Sequence, residues 1–224
     1  MTKIKNKIVF LCSACGDDFP KWNGQCPSCK EWGTLSEFKV SSKKKRRKTE
    51  IRESKFLPDV LSGAPVERIP TGLKEADRVL GGGLLSGALV LLGGSPGVGK
   101  STLALHICSG IDRKALYISA EESEEQIALR ARRLNVKPDY LHLSGENELD
   151  GIITHIERIS PELVVIDSIQ TVMNSSLDSL PGSPSQIRDC GQRLLEISKQ
   201  KNVTILIVGH ATKDGTIAGP QMLE

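Results

Sequence analysis

Five apolar stretches recur between residues 88 and 208, and segments with helical periodicity separate them. Each stretch is nearly continuous Val, Ile and Leu, which is typical of strands that helices cover on both faces. Strands that alternate with helices form parallel sheets with right-handed crossovers, so the pattern predicts an α/β fold. The predicted strands are 90–93, 115–119, 140–143, 163–166 and 203–208, and the predicted helices are 101–110, 123–134, 147–159 and about 185–200.

The part of the chain before residue 57 lacks this alternation, and its composition divides it instead. Residues 1–38 surround four cysteines, whereas residues 39–56 are basic and poor in apolar side chains. We therefore predict a small metal-binding zone over 1–38, a basic flexible linker over 39–56 and the α/β core over 57–224. Because the chain stops in a loop-like stretch soon after a predicted strand, we expect the core to be truncated at its C-terminus.

Positive charge is concentrated in the linker. Residues 39–55 contain nine Lys or Arg and two Glu, a net charge of +7, although the whole chain carries only +3. The run 43–48 would attract any polyanion, with an affinity that falls as salt rises. A solvated tether and a nucleic-acid contact are equally consistent with this segment at this point.

Composition argues against two classes of protein. Of the 224 residues 38% are hydrophobic and 25% are charged, and no apolar run reaches the roughly 18 residues that a membrane span needs. Residues 1–10 are basic and then briefly apolar, without the long apolar region of a signal peptide. We therefore expect a cytoplasmic protein with no membrane partner.

The cysteine spacing predicts a metal centre. Cys12 and Cys15 form one C-x-x-C pair, and Cys26 and Cys29 form a second. Each pair can form a tight knuckle, and four sulfurs in a tetrahedral array suit a closed, structural Zn²⁺ site. An iron centre is compatible with the same spacing. Metal binding would provide folding energy that so short a zone cannot obtain from an apolar core.

Four further side chains are interpreted as packing residues. We expect Trp22 and Trp32 to pack over the two knuckles. We expect Cys108 and Cys190, which lie in predicted helices, to be thiols of the core.

Residues 94–101 read Gly-Ser-Pro-Gly-Val-Gly-Lys-Ser and fit the phosphate-loop pattern G-x-x-x-x-G-K-[ST]. A predicted strand precedes them and a predicted helix follows, so bound phosphates would lie at a helix N-terminus. Lys100 would bind the β and γ phosphates, and Ser101 would ligate Mg²⁺, which predicts ATP and Mg²⁺ as cofactors beside Zn²⁺. The residues predicted to bind the nucleotide are Gly94, Ser95, Pro96, Gly97, Val98, Gly99, Lys100, Ser101 and Thr102.

Acidic residues at two other strand ends complete the predicted chemistry. Asp167 follows an apolar strand about seventy residues after the phosphate loop, the Walker B arrangement, and would hold Mg²⁺ opposite Ser101. Glu121 is the favoured general base for the attacking water, with Glu122 as the alternative; acids are also favoured there as helix N-terminal charges. His210 ends a strand and would sense the γ-phosphate, unless it is simply a hydrogen-bonded histidine.

Taken as a set, the motifs closely resemble the RadA (Sms) family of bacterial DNA repair proteins. The resemblance covers nearly the whole chain apart from the basic linker. It combines a zinc ribbon with phosphate-loop and strand motifs that other RecA-like ATPases do not share as a set. The segments that carry it are CPSCKEWGT, GGGLLSGALVLLGGSPGVGKSTL, YISAEES, VVIDSIQT, PGSPSQIRDC and IVGHATKDGTIAGPQMLE.

The resemblance implies a RecA-like P-loop ATPase core, preceded by a zinc ribbon, in a DNA-dependent ATPase of recombinational repair. Such a motor would act on single-stranded DNA and on branched recombination intermediates, be associated with the nucleoid, and work as a homo-oligomeric ring with recombinases or helicases as partners. The resemblance also supports Glu121 as the general base. It also implies DNA loops over about 172–186 and 211–221, with Lys213 as the first candidate for a phosphate contact and Arg188 and Lys199 as weaker ones.

The family continues into a KNRFG sequence and a Lon-like domain, neither of which occurs in the 224 residues. The resemblance therefore implies an N-terminal fragment with weak activity of its own. Two other hypotheses stay open. In one, ATP gates the assembly of a regulatory RecA-like ATPase that moves no strand. In the other, the zinc ribbon makes the chain an adaptor for a partner protein.

Overall fold

The computed structural model describes residues 7–14, 16–40, 54, 56–63, 66–136, 139–177 and 179–210. The chain divides into two compact units, Met1–Val66 and Glu67–Glu224. This division lies near the predicted start of the core at residue 57 but does not coincide with it. The predicted domain boundaries, with zones over 1–38, 39–56 and 57–224, stay a prediction.

The first unit is built on a small antiparallel sheet. Its strands are β1 (Lys7–Cys12), β2 (Asp18–Phe19) and β3 (Leu35–Val40), in the order β2-β1-β3. A short helix, α1 (Leu57–Leu61), follows later in the same unit. The sequence pattern did not predict these strands, because β1 is one short apolar run without periodicity and β2 and β3 are too short to show a clear one.

The second unit opens with a short two-stranded sheet that the sequence also did not predict. Strand β4 (Arg68–Ile69) pairs antiparallel with β5 (Leu84–Leu85), and helix α2 (Lys74–Val79) lies between them in the chain. Arg68 links the start of this segment to its end by donating hydrogen bonds to the carbonyl oxygens of Leu80 and Gly83, at 2.7 and 3.0 Å. Strands of two residues are too short to show periodicity in a sequence.

A five-stranded parallel sheet forms the centre of the second unit, as predicted. The strands pair in the order β6-β10-β9-β7-β8, and every pair is parallel. Each predicted strand is present within a few residues of its expected bounds. The strands are β6 (Leu89–Gly94), β7 (Ala115–Ile118), β8 (Leu141–Ser144), β9 (Leu163–Asp167) and β10 (Thr204–His210).

Helices cover both faces of this sheet, which confirms the predicted α/β class. The helices are α3 (Lys100–Gly110), α4 (Glu124–Arg133), α5 (Leu149–Ile159) and α6 (Pro184–Lys201). One apolar cluster joins α3 and α4 to the sheet, and a second joins α5 and α6 to it. Side chains of β9 alternate between the clusters, with Val165 in the first and Val164 and Ile166 in the second.

The strand order brings the phosphate-loop strand and the strand ending in Asp167 to the two sides of β10. Val208 of β10 is paired with Leu92 of β6 on one side and with Asp167 of β9 on the other. Neighbouring strands are about 4.8 Å apart, so Asp167 lies roughly 10 Å from β6 at the same level. The carboxyl ends of these strands therefore meet at one edge of the sheet, where α/β proteins bind their ligands.

Candidate nucleotide site and metal centre

Glycines give the loop between β6 and α3 its shape. Gly97 and Gly99 have φ angles of +82° and +95°, which residues other than glycine rarely adopt. A Cβ added at either position would have no described atom within 4 Å, so the backbone angle and not the available space demands glycine there. At Gly94 space is tighter, because a Cβ would lie 3.3 Å from Cγ2 of Val98.

The N-terminus of α3 keeps its backbone amides available. Its N-cap is Gly99, and no described side chain caps it; its first turn, which contains Ser101 and Thr102, has no acidic residue. Helix α4 differs, because Ser123 and Gln126 form a complete capping box and two glutamates occupy the first turn. The free N–H groups and the helix dipole at α3 together favour a bound anion such as a phosphate.

Lys100 is held inside this loop. Its side chain starts on the first residue of α3 and is buried, with 7% of the residue exposed. The Nζ atom donates hydrogen bonds to the carbonyl oxygens of Gly94 and Ser95, at 2.8 and 2.9 Å. The ammonium group therefore lies where the chain curls, and the loop residues 94–99 lead directly to it.

Asp167 ends β9 and is 8% exposed. Its Oδ2 atom accepts a hydrogen bond of 2.5 Å from the hydroxyl of Tyr117, a fully buried residue of β7. Burial, followed by the negative charge of Asp167, raises the pKa of Tyr117 well above its ordinary value. The tyrosine therefore stays protonated and holds one carboxylate oxygen of Asp167.

Sequence reasoning missed Tyr117. The one available signal was a single hydroxyl-bearing side chain in the otherwise aliphatic strand Ala-Leu-Tyr-Ile. A buried tyrosine hydroxyl needs a hydrogen-bond partner, but the sequence alone does not identify which one.

The two candidate bases, Glu121 and Glu122, differ in their contacts. Ser168 is completely buried, and its Oγ donates a hydrogen bond of 2.6 Å to Oε1 of the exposed Glu121. Glu122 forms an ion pair with Arg130 of α4. The first glutamate is therefore attached to the residue that follows Asp167, whereas the second is engaged by the helix next to it.

The structure describes the backbone of His210 but not its side chain, and it does not describe Lys213. His210 is the last residue of β10, and its backbone is paired in register with Gly94, the first residue of the phosphate loop. Its side chain, Lys213 and the predicted loop 211–221 lie outside the described residues. Arg188 and Lys199 both lie on α6, with Arg188 partly buried and Lys199 exposed.

The predicted loop 172–186 is anchored at both ends instead of being loose throughout. Its last residues belong to α6, which begins at Pro184. The completely buried Gln186 accepts a hydrogen bond from the backbone N–H of Asn174 (2.8 Å) and donates to the carbonyl oxygens of Asn174 (3.2 Å) and Ser179 (2.9 Å). The amide of Asn174 also donates to Asp189, at 2.8 Å. One glutamine side chain therefore fixes the path of this loop.

Three of the four predicted metal ligands come together in the first unit. The Sγ atoms of Cys12, Cys26 and Cys29 lie within 4.8 Å of one another, and those of Cys12 and Cys29 are 3.7 Å apart. Zinc–sulfur bonds of about 2.3 Å in a tetrahedron place sulfurs roughly 3.8 Å apart, so this donor set fits the ion. Cys15 lies outside the described residues.

The expectation for the tryptophans is not met, whereas that for the helical thiols is confirmed. Trp22 is 60% exposed and Trp32 is 74% exposed, so neither ring is buried over a knuckle. Cys108 and Cys190 are both buried in the core of the second unit. Among the described residues, no helix is both long enough and apolar enough to cross a membrane.

Comparison with families and known proteins agrees with this geometry. A family model described as an AAA domain matches residues 52–216, and one described as a rubredoxin metal binding domain matches residues 10–37. A solved KaiC-like protein from the archaeon Pyrococcus horikoshii has a TM-score of 0.54 at 22% identity, covering 69% of this chain and 76% of that chain. The RecA-like α/β fold that the motifs predicted is thereby confirmed.

Curated relatives match over nearly the full length of the chain. DNA repair protein RadA of Listeria monocytogenes is 45% identical over 230 residues, which cover 100% of this chain and 50% of that protein. RadA of Bacillus subtilis is 43% identical over 231 residues, covering 98% of this chain and 50% of that protein. The predicted resemblance is confirmed, and the chain spans about half the length of these relatives.

Proposed function

Since this chain belongs to the AAA domain family, we propose that it is the nucleotide-hydrolysing part of a DNA-dependent ATPase in recombinational DNA repair. The name shared by the relatives, DNA repair protein RadA, supports the repair role. The observation that carries the proposal is the meeting of the phosphate loop, Asp167 and Glu121 at one edge of the parallel sheet. These are the parts that ATP hydrolysis needs.

Phosphate binding falls to the loop 94–99 and the first turn of α3. The backbone N–H groups of that turn would point at the phosphate chain, which the helix dipole also favours. Lys100 would exchange its bonds to the loop carbonyls for bonds to the β and γ phosphates. Ser101 and Asp167 would hold Mg²⁺, which neutralises phosphate charge when bound, and Tyr117 fixes the orientation of the aspartate.

Glu121 is the proposed general base. It would accept a proton from the water whose oxygen attacks the γ-phosphorus, while the bond between that phosphorus and the bridging oxygen breaks and ADP leaves. The hydrogen bond from Ser168 supports this assignment, because it orients the carboxylate beside Asp167. Glu122 is the weaker choice, since Arg130 already neutralises it.

DNA recognition is the finer part of the proposal. The chain would contribute to a helicase-like motor on single-stranded and branched DNA, within a homo-oligomeric ring and with recombinases or helicases as partners. His210 would relay the state of the γ-phosphate, because its backbone neighbours Gly94. Lys213 would contact a backbone phosphate. The zinc ribbon and the basic run 43–48 would add positive or aromatic contacts.

ATP hydrolysis by the chain, with and without single-stranded DNA, tests the proposal. We expect DNA to raise the turnover, and Lys100→Ala to reduce turnover by at least tenfold, because it removes the charge that faces the phosphates. Lys74→Ala is the matched control, since Lys74 is exposed at the start of α2, and it should leave turnover unchanged.

Two results would contradict parts of this proposal separately. Near-normal turnover in Lys100→Ala would overturn the role of the phosphate loop. Turnover that DNA leaves unchanged would overturn the DNA-dependent motor and favour the regulatory ATPase, in which nucleotide controls assembly alone.

A further inference from the structure

The first unit exposes both tryptophans of the chain. Trp22 is 60% exposed and Trp32 is 74% exposed. Neither ring contributes to the core of this unit, although that core is small. Both rings border Gly24: a Cβ added there would lie 3.6 Å from the ring of Trp32 and 3.8 Å from the ring of Trp22. The two rings therefore form a pair on one turn, which we call the tryptophan pair.

Backbone contacts tie the tryptophan pair to the metal knuckle. Gly33 donates a hydrogen bond to the carbonyl oxygen of Gly24 at 2.8 Å, and Gln25 is bridged to Trp32. Within the same turn, Lys30 donates to the carbonyl oxygen of Cys26 at 3.0 Å. The ligand cysteines thus fix the backbone that carries the rings, and a rigid aromatic surface loses little conformational entropy when it binds a partner.

Charge around the pair favours a polyanion. Between residues 21 and 32, Lys21 and Lys30 are exposed and Glu31 is the one exposed acid, whereas Asp18 and Glu37 are exposed elsewhere in the unit. Strand β3 then leads into residues 39–55, with their net charge of +7. The basic run begins at Lys43, eleven residues after Trp32 in the sequence.

We propose that Trp22 and Trp32 stack against the bases of single-stranded DNA while the neighbouring lysines contact its phosphates. Stacked aromatic rings beside a basic segment are the combination by which proteins bind single strands without reading sequence. A protein partner would also cover exposed tryptophans, but the net charge of +7 carried by residues 39–55 fits an acidic strand better. The choice of DNA rests on the proposed function, whereas the contact itself is independent of ATP hydrolysis.

Intrinsic fluorescence tests this directly, because Trp22 and Trp32 are the only tryptophans of the chain. Titration of the whole chain with a single-stranded oligonucleotide of about 16 bases should quench the emission. Binding measured by anisotropy should weaken between about 5- and 150-fold in Trp22→Ala and Trp32→Ala, the range expected for one lost stacking contact. Trp32→Phe should restore most of the affinity, since it keeps an aromatic face.

Two controls separate stacking from charge and from misfolding. Val79→Ala removes an apolar side chain that is 78% exposed in the second unit, and it should bind like the unaltered chain. Zinc content should be unchanged in each tryptophan variant, because the ligands are untouched. A strand of the same length and charge without bases should bind the unaltered chain and the tryptophan variants equally.

The outcomes distinguish this proposal from the proposed function. Unquenched fluorescence on binding, or full affinity in both alanine variants with zinc retained, would overturn the stacking contact and leave the ATPase proposal standing. Variants that bind DNA normally but lose a protein partner would assign the pair to that partner instead. Quenching by DNA together with turnover that DNA does not affect would support the contact while overturning the DNA-dependent motor.

Discussion

Each of the two units is stabilised by a different kind of interaction. In the first, the buried apolar cluster among the described residues consists of Cys12, Cys26 and Leu35, with a few partly buried neighbours, and Val9 is buried as well. In the second, two large apolar clusters enclose a parallel sheet from both faces. The first unit therefore depends on what its cysteines bind, and the second depends on the apolar area that it buries.

Cysteine itself illustrates the contrast. In the first unit the sulfurs of three cysteines converge within 4.8 Å, as metal ligands do. In the second unit burial raises the pKa of Cys108 to about 12, and burial together with the charge of Asp189 raises the pKa of Cys190 to about 12. A thiol with such a pKa is almost never a thiolate at neutral pH, so these two cysteines behave as small apolar side chains.

The largest effect should follow from breaking the metal centre. Structural zinc contributes about 10–16 kcal/mol of folding energy to small domains, far more than the core of the first unit can replace. We expect Cys26→Ser to abolish zinc binding and to expose the amides of residues 7–40 to hydrogen exchange, while the second unit keeps its protection. Metal analysis and hydrogen exchange measured by mass spectrometry check this.

The matched control for the metal centre is Cys190→Ser. It alters a buried cysteine of the second unit and should leave the zinc content unchanged. Zinc retained at full stoichiometry in Cys26→Ser would show that the converging sulfurs are not its ligands. Iron in place of zinc would keep the site and change its metal.

A cavity in the second unit should have an intermediate effect. Ile152 of α5 is completely buried in the cluster under α5 and α6, away from the nucleotide site. We expect Ile152→Ala to lower the free energy of unfolding of this unit by about 2–5 kcal/mol, because it removes apolar contacts and leaves a cavity. Denaturant titration would measure the loss, and zinc content should not change.

Val79→Ala is the control for this cavity, because Val79 is 78% exposed and its removal should cost at most about 0.5 kcal/mol. Equal stabilities for the two variants would mean that burial in these clusters does not hold the second unit together.

The smallest effect is expected at the pair of Tyr117 and Asp167. Tyr117→Phe removes a hydrogen bond to a charged acceptor and should cost about 1–2 kcal/mol at neutral pH. Because folding raises the pKa of this tyrosine, its stabilising effect is present below the unfolded pKa near 10 and is lost above it. The difference from the unaltered chain should therefore shrink by about 1.4 kcal/mol per pH unit above about pH 10.

Chemical unfolding at several pH values measures this difference. Tyr140→Phe provides the control, since it makes the same substitution at a tyrosine that is 51% exposed. A constant difference across pH 8–11 would contradict the raised pKa of Tyr117.

How much the sequence predicted also differs between the two units. In the second unit, continuous apolar runs such as that in Leu163–Asp167 are long enough to identify a buried strand. The glycines of the phosphate loop mark positions where the backbone has a positive φ angle. In the first unit, the cysteine spacing indicated the metal centre. Strands β1 and β3 were missed because the short apolar run of β1 has no periodicity and β3 spans only six residues.

Contacts between distant residues were beyond the reach of the sequence. The bond from Ser168 to Glu121 and the one from Tyr117 to Asp167 join residues 47 and 50 positions apart. Only the strand order brings them together, and the spacing of motifs does not encode it. Gln186 is similar, since nothing in the run PGSPSQIRDC shows that its amide holds the backbone of Asn174.

The uncapped start of α3 has one more consequence. Helix α4 satisfies its first amides with its own Ser123 and Gln126, whereas α3 begins at a glycine and leaves that task to whatever binds there. A ligand that completes a helix end belongs energetically to the folded state, so its concentration sets part of the heat resistance of the protein. Because the proposed ligand is a nucleotide, the thermal stability of the second unit should rise with the nucleotide concentration.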